Sequence, residues 1–264
     1  METINHFIKT GEIDMNNNKG VVYMAYGKER FLREAVDSLH SFKKIKSHEN
    51  IPTTLISFGN IPSDIINEFD TFIRINDTDV SEYGSGKGSR PQTHHIKFLL
   101  YKYTPYDLTL FLDADTYICK DISWGFEIAD KFKVAMPLAD ALYCIRRTVS
   151  TRFSDICHHE YTTYNSGVLF FKKDDFVGKI YSEAFKLCEK DKFKKGDQIY
   201  MTLAMYKNNF CPYTFHSRFM CKGYGYNMGN KKHCSDDWRN PNGPYYVLHH
   251  PRIAFHVKKF VASK

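Results

Sequence analysis

Two carboxylates, Asp113 and Asp115, stand one residue apart at the end of the run Leu108-Thr-Leu-Phe-Leu112. The run is apolar and rich in strand formers, the composition of a β-strand buried on both faces. Residues i and i+2 of a strand point to the same side, so both carboxylates can face one point. Two like charges held there raise one pKa unless a cation sits between them. Hard oxygen ligands with only Ala114 between them suit Mg²⁺ or Mn²⁺, with water and phosphate completing the shell. The alternative is a polar turn that caps the next element. The apolar strand before the pair, and the extended Thr116-Tyr-Ile118 after it, favour the metal.

Other residues could join such chemistry. Asn165-Ser-Gly167 forms a polar entry to the apolar run Val168-Leu-Phe-Phe171, and its glycine permits close approach of a ligand. Asp197, near a helix start, is a plausible N-cap or a functional carboxylate. His249 and His250 follow the strand Tyr245-Tyr-Val-Leu248, so alternation turns them to opposite sides and only one can reach a cation near Asp113. Arg146, Arg147, Arg152, His158 and His159 fall in a stretch, 139–163, that reads as solvated or acceptor-contacting. Cys221, His233, Cys234 and His249 have no recognised zinc-ligand spacing.

Strands and helices must position these groups. Gly20–Ala25 is an extended first strand that stops at Tyr26-Gly27, where Tyr26 either stacks on a base or covers the sheet edge. Glu29–Phe42 has helical spacing, with Phe31, Leu32, Ala35, Val36, Leu39 and Phe42 expected inward. A strand over 51–58, a short helix over 63–69 and a strand over 71–75 continue the alternation. Such a β-α-β-α-β order implies a mostly parallel sheet with right-handed crossovers. Tyr83–Arg90 is a glycine-rich loop that lacks phosphate-loop spacing; it leads into a helix over Pro91–Tyr103. Further expected elements are a strand over 133–137, a helix over 176–189 and a helix from Lys195 to Tyr206.

The whole chain sets limits. At 264 residues it can bury a full core, and 42% hydrophobic with 25% charged residues is ordinary for a globular protein. A net charge of +7 favours polyanionic partners. The charge is scattered, so no nucleic-acid partner is expected. Seven cysteines without a C-x-x-C are expected to be reduced, in a cytoplasmic setting. No apolar run approaches the ~20 residues of a membrane span. Residues 1–19 read as a polar arm.

In this order the motifs resemble the GT-A fold nucleotide-sugar glycosyltransferases, most of all glycosyltransferase family 8, the glycogenin and lipopolysaccharide galactosyltransferase group. The resemblance spans about residues 20 to 260. Phe111-Leu-Asp-Ala-Asp-Thr116 is similar to the family's metal-binding strand end, which implies Asp113 and Asp115 as ligands of Mn²⁺ or Mg²⁺. Lys97 falls where the family has a basic residue near the donor diphosphate. Asn165-Ser-Gly-Val168 is similar to a strand whose Asn lies near the donor sugar. Gly196-Asp-Gln198 is similar to a helix start whose Asp and Gln flank that sugar. Val247-Leu-His249 resembles the segment that supplies a third metal ligand, here His249. The family's terminal H-x-x-G-x-x-K-P-W pattern is not intact, and Arg252, Lys258 or Lys259 are expected to replace its phosphate-binding lysine.

The resemblance implies an α/β fold, a single GT-A (Rossmann-like) domain over 20–264 with a mostly parallel central sheet flanked by helices. Its donor-binding half is about 20–118 and its acceptor-side half about 119–264. It further implies metal-dependent transfer of a sugar from a nucleotide diphosphate sugar, a UDP-sugar, to an acceptor hydroxyl with retention. The acceptor class (glycan, protein or small molecule) is left open. Asp197, Gln198 and Asn165 are then the catalytic candidates. The donor contacts are Ala25, Tyr26, Lys97, Asp113, Ala114, Asp115, Ser166, Gly167, Arg252 and Lys258. An inverting relative would need a base such as Asp197, Asp236 or Asp237. A nucleotidyltransferase would want a G-x-G-T-R-type loop where Ala25-Tyr-Gly-Lys28 stands. A non-catalytic nucleotide- or glycan-binding protein would have no use for an intact Asp113, Asp115 and His249.

Overall fold

Strand β1 (Lys19–Met24) shows how the core is divided. Its side chains alternate, so Val22 and Met24 enter one apolar cluster while Val21 and Tyr23 enter another. Strand β4 (Leu108–Leu112) repeats the division, with Phe111 on the first side and Leu110 and Leu112 on the second. So does β7 (Val168–Lys172), with Leu169 and Phe171 opposed to Val168 and Phe170. Both faces of this sheet are therefore covered, and each fully buried Val, Leu or Phe contributes about 1.5–3 kcal/mol.

The computed structural model describes residues 19–84, 93–139, 151–158, 161–192, 196–216, 219–222 and 239–264. Its main sheet has seven strands in the order β3-β2-β1-β4-β7-β6-β8. The remaining four are β2 (Thr53–Ser57), β3 (Thr71–Arg74), β6 (Val134–Pro137) and β8 (Tyr213–Phe215). Strands β3, β2, β1 and β4 are parallel, β6 is parallel to β8, and β7 is antiparallel to both β4 and β6. The sheet is mostly parallel, as expected. A second sheet has the order β5-β10-β9, from β5 (Thr116–Ile118), β9 (Met220–Lys222) and β10 (Val247–His249).

Helix α1 (Glu29–Lys43) buries Leu32, Ala35, Val36, Leu39 and Phe42 on one face of the main sheet. Phe31 departs from its inward assignment and is 38% exposed, with the Arg30 guanidinium 4.8 Å over its ring. Short helices α2 (Ser63–Ile66) and α3 (Asp77–Gly84) follow β2 and β3. The helix expected over 91–103 is a 3₁₀ turn at Thr93–Leu99 continued by α4 (Leu100–Tyr103); Ile96, Leu99, Leu100 and Tyr103 are buried as expected. Helix α5 (Gly125–Phe132) was not foreseen. Helices α6 (Asp175–Lys190) and α7 (Asp197–Lys207) cover the other face, and α8 (Ile253–Ala262) packs Ile253 and Val257 against the small sheet.

Several expectations lie outside the described residues: most of the glycine-rich loop, Arg146, Arg147 and His159, then His233, Cys234, Asp236 and Asp237, and the arm before Lys19. Lys19 is already the first residue of β1, paired with Leu108. Arg152 is exposed and tied to the fold by a buried carboxylate. It forms a two-pronged pair with the buried Asp191, Nε to Oδ1 at 2.7 Å and Nη2 to Oδ2 at 2.8 Å, and the Tyr200 hydroxyl donates to the same carboxylate. Cys119, Cys157, Cys188 and Cys211 carry free thiols, whereas Cys221 is disulfide-bonded, so the expectation of reduced cysteines fails there. Among the described residues no helix is long and apolar enough to cross a membrane.

Candidate active site

Antiparallel pairing of β7 with β4 builds the centre of the site. It pairs Leu112 with Val168, so the turn Asn165-Ser166-Gly167 lies beside the end of β4. The Asp113 N–H donates to the Gly167 carbonyl at 2.8 Å, and the Gly167 N–H donates to Asn165 Oδ1 at 2.8 Å. The second sheet adds the third group. Its register sets His249 opposite Thr116, immediately after Asp115. Thr116 is held by its hydroxyl, which lies 2.7 Å from Ser38 Oγ of α1 and donates to the Asp113 carbonyl.

One ligand atom from each of Asp113, Asp115 and His249 lies within 4.8 Å of the others. His249 Nε2 is 3.0 Å from Asp115 Oδ1 and 3.4 Å from Asp113 Oδ2. His250 turns away, its Nδ1 2.7 Å from the Pro251 carbonyl. Strand alternation set the two histidines on opposite sides, and it is His249, the one the family resemblance implied, that lies beside the carboxylates. A Cβ on Gly167 would overlap His249 Cε1 and come within 2.7 Å of Asp113 Oδ2. Glycine is needed there so that the ring and the carboxylate can meet.

Lys97, from the 3₁₀ turn, donates to Asp113 Oδ1 at 2.5 Å and lies 3.8 Å from Asp197 Oδ2. Ser166 Oγ donates to the same Asp197 oxygen at 2.7 Å. Asp197 is the first residue of α7, but Gly196 holds the cap position and no side chain caps the helix. The capping role is thus overturned, and this buried carboxylate faces the site instead.

The electrostatics follow from burial and neighbours. Burial alone would push the Asp113 carboxyl up, but Lys97 and His249 hold it below the usual carboxylate range. Burial disfavours the Lys97 ammonium, yet Asp113 and Asp197 raise its pKa above the ordinary value. Burial likewise disfavours charge on His249, and Asp113 and Asp115 still raise it to about 9. Three carboxylates thus face two cationic groups. His249 Nδ1 is buried without a hydrogen-bond partner. Two carboxylates and an imidazole converging on one point are a fitting donor set for Mn²⁺ or Mg²⁺.

A cavity of about 530 Å³ opens from this centre. Its walls include Ala25, Tyr26, Lys97, Asp113, Ala114, Asp115, Asn165, Ser166, Gly167, Asp197, Gln198 and His249, so these expected residues are brought together. The Tyr26 ring also stacks on Phe58, with centroids 4.8 Å apart, so it packs beside the sheet while lining the cavity. Arg252 lines a neighbouring cavity of about 390 Å³ that shares Ala114 and Asp115. Lys258 lines neither; it is exposed and 3.6 Å from Asp37. Arg30, Phe31 and Glu34 on α1 line the larger cavity and were missed. Their signal was only a helix that starts right after the turn at Gly27, whose φ of +83° suits glycine.

No protein-family model matches the sequence, and no curated protein matches it. Solved structures do. The galactosyltransferase LgtC, in complex with donor and acceptor sugar analogs, superposes with a TM-score of 0.64 at 17% identity, covering 92% of this chain and 95% of that one. The fold is the GT-A glycosyltransferase fold. The bifunctional glycosyltransferase WbbM matches with a TM-score of 0.62 at 12% identity, over 90% of this chain and 46% of its own. The Mn/GDP form of core-mannan synthase A from Aspergillus fumigatus matches with a TM-score of 0.50 at 11% identity, over 89% and 82%. The GT-A sheet of this chain ends at the Asp113, Asp115 and His249 cluster.

Proposed function

We propose that this GT-A protein is a metal-dependent glycosyltransferase that moves a sugar from a nucleotide diphosphate sugar, a UDP-sugar, to an acceptor hydroxyl with retention. The convergence of Asp113, Asp115 and His249 at the wall of one cavity carries this proposal. Those three residues would hold Mn²⁺ or Mg²⁺. The ion, when bound, neutralises charge that builds on the departing diphosphate. Lys97 adds a fixed positive charge at the same end, and Arg252 is better sited than Lys258 to contact phosphate. Both replace solvent by preorganised groups.

Asp197, Gln198 and Asn165 line the same cavity and are assigned to the sugar. Asp197 accepts a hydrogen bond from Ser166 and lies 3.8 Å from Lys97. It is assigned to orienting the sugar and stabilising charge that develops on it. Ala25, Tyr26 and Ala114 are assigned to the nucleotide. The division into a donor half, 20–118, and an acceptor half, 119–264, is part of the same proposal.

Incubation with Mn²⁺ and a panel of nucleotide sugars tests it. Release of nucleoside diphosphate is expected, greatest with one UDP-sugar, and abolished in Asp115→Asn. Release of pyrophosphate would point to nucleotidyl transfer. No turnover of any donor would contradict the proposal.

A further inference from the structure

A recess of about 10 Å³ adjoins the cavity that holds Asp113. Its walls are mostly apolar, Phe98, Phe111 and Met201 among them, and four residues bring polar groups to it: Lys97, Ser166, Asp197 and Tyr181. The first three also line the larger cavity. Tyr181 does not, and nothing in the site described above uses it.

Tyr181 stands mid-way along α6 and is 4% exposed. Its ring packs on Phe171 and Tyr101, with centroids 5.6 and 5.8 Å away. The hydroxyl is buried and has no hydrogen-bond partner among the described residues. Burial, and after it the charge on Asp197, raises its pKa above the ordinary value, so it stays a donor. Buried polar groups are almost always satisfied, by protein or by ordered water, because an unpaired one is costly. Phenylalanine would fill the same apolar walls without that cost.

A buried water needs about 10–15 Å³ and about two to four polar partners. The recess meets the lower bound of room and supplies the partners. Asp197 has capacity to spare. Among the described residues its carboxylate accepts one hydrogen bond, from Ser166 to Oδ2, with Lys97 3.8 Å from the same oxygen. An ionised carboxylate offers about four lone-pair sites.

We propose that one ordered water in this recess links the Tyr181 hydroxyl to the Asp197 carboxylate, which makes Tyr181 a positioning residue for Asp197. Tyr181 donates to the water and the water donates to Asp197, so α6 holds the carboxylate from one side and Ser166 from another. The effect on turnover rests on the transferase reading; the water itself does not.

Crystal structures of the unaltered protein and Tyr181→Phe test the link, with melting and steady-state kinetics on Tyr181→Phe, Asp197→Asn and the double variant. A water about 3 Å from the Tyr181 hydroxyl is expected in the first structure and absent from the second. Tyr181→Phe should melt below the unaltered protein, whereas loss of a partnerless hydroxyl leaves stability equal or higher. Its kcat should fall ~3–10-fold while donor KM stays within about twofold. In the Asp197→Asn background the same change should add little further loss. A dry recess, or a Tyr181→Phe protein at least as stable as the original, would overturn the proposal. So would an unchanged kcat, or an equal further loss in Asp197→Asn. If the unaltered protein turns over no donor, the transferase reading fails, and the structures and melts still decide the water.

Discussion

Two ionic clusters in this molecule, each with one buried member, differ in how completely they are satisfied. At Asp191, Arg152 covers the carboxylate with two bonds and Tyr200 adds a third, and neither cavity reaches it. At Asp113, Asp115 and His249, three acceptor-rich groups converge at a cavity wall, and a buried imidazole nitrogen has no partner. The first is closed and ties the 151–157 segment to α6 and α7. The second is drawn together across Gly167 at the cavity wall, and its donor set fits a further cation. Burial alone does not distinguish structural from functional charge; saturation does.

The contrast is sharpest in what each cluster loses on mutation. Asp191→Ala removes a buried carboxylate that accepts from the buried Tyr200 hydroxyl and leaves the exposed Arg152 guanidinium to water, and should cost ~1–3 kcal/mol of stability in a denaturant titration. Turnover per folded molecule should stay within about twofold of the original. Asp113→Asn should do the reverse, with a melting temperature near the original and transfer reduced by ~10³-fold, worth about 4 kcal/mol in the barrier. If both variants simply unfold, the distinction between the clusters collapses.

Asp197 lies between the two cases, since Ser166 and Lys97 partly satisfy it. Asp197→Asn should keep the fold and donor affinity while transfer falls by at least ~100-fold. A near-normal rate would move Asp197 to the structural class.

The smallest effect is expected at an ordinary helix cap. Asp174 accepts the Val177 N–H at 2.9 Å at the start of α6 and pairs with Lys133. Burial pushes its pKa up, but Lys133 and the Val177 N–H together outweigh this and leave it lowered. A carboxyl whose folded pKa is depressed stabilises fully above its unfolded value, and that stability is lost as pH falls through the folded value. Asp174→Ala should therefore cost ~1 kcal/mol at neutral pH, with the difference between the two proteins closing in acid. An unchanged gap at low pH would remove Asp174 charge from the explanation.

Much of the centre could be read from the chain because strand alternation is rigid. The shared side of Asp113 and Asp115 and the opposite facing of His249 and His250 rest on it; the polar turn at Asn165–Gly167 was legible from its residue types, and His249 from the family resemblance. What escaped depends on length or on tertiary context. Helix α5 spans only Gly125–Phe132, too short for its period to stand out, and β8 and β9 have three residues each in a stretch rich in Tyr, Gly and Asn. Phe31 has helical spacing but faces the cavity with Arg30, and Arg152 is matched by an Asp191 remote in sequence.

The central claim is that Asp113, Asp115 and His249 bind a divalent cation on which donor binding depends. Calorimetry of UDP binding, with and without Mn²⁺, on the unaltered protein, His249→Ala and His250→Ala tests it most directly. UDP should bind the unaltered protein and His250→Ala far more tightly with Mn²⁺, and His249→Ala should lose most of that gain. Equal UDP affinity with and without Mn²⁺, or a loss confined to His250→Ala, would contradict it.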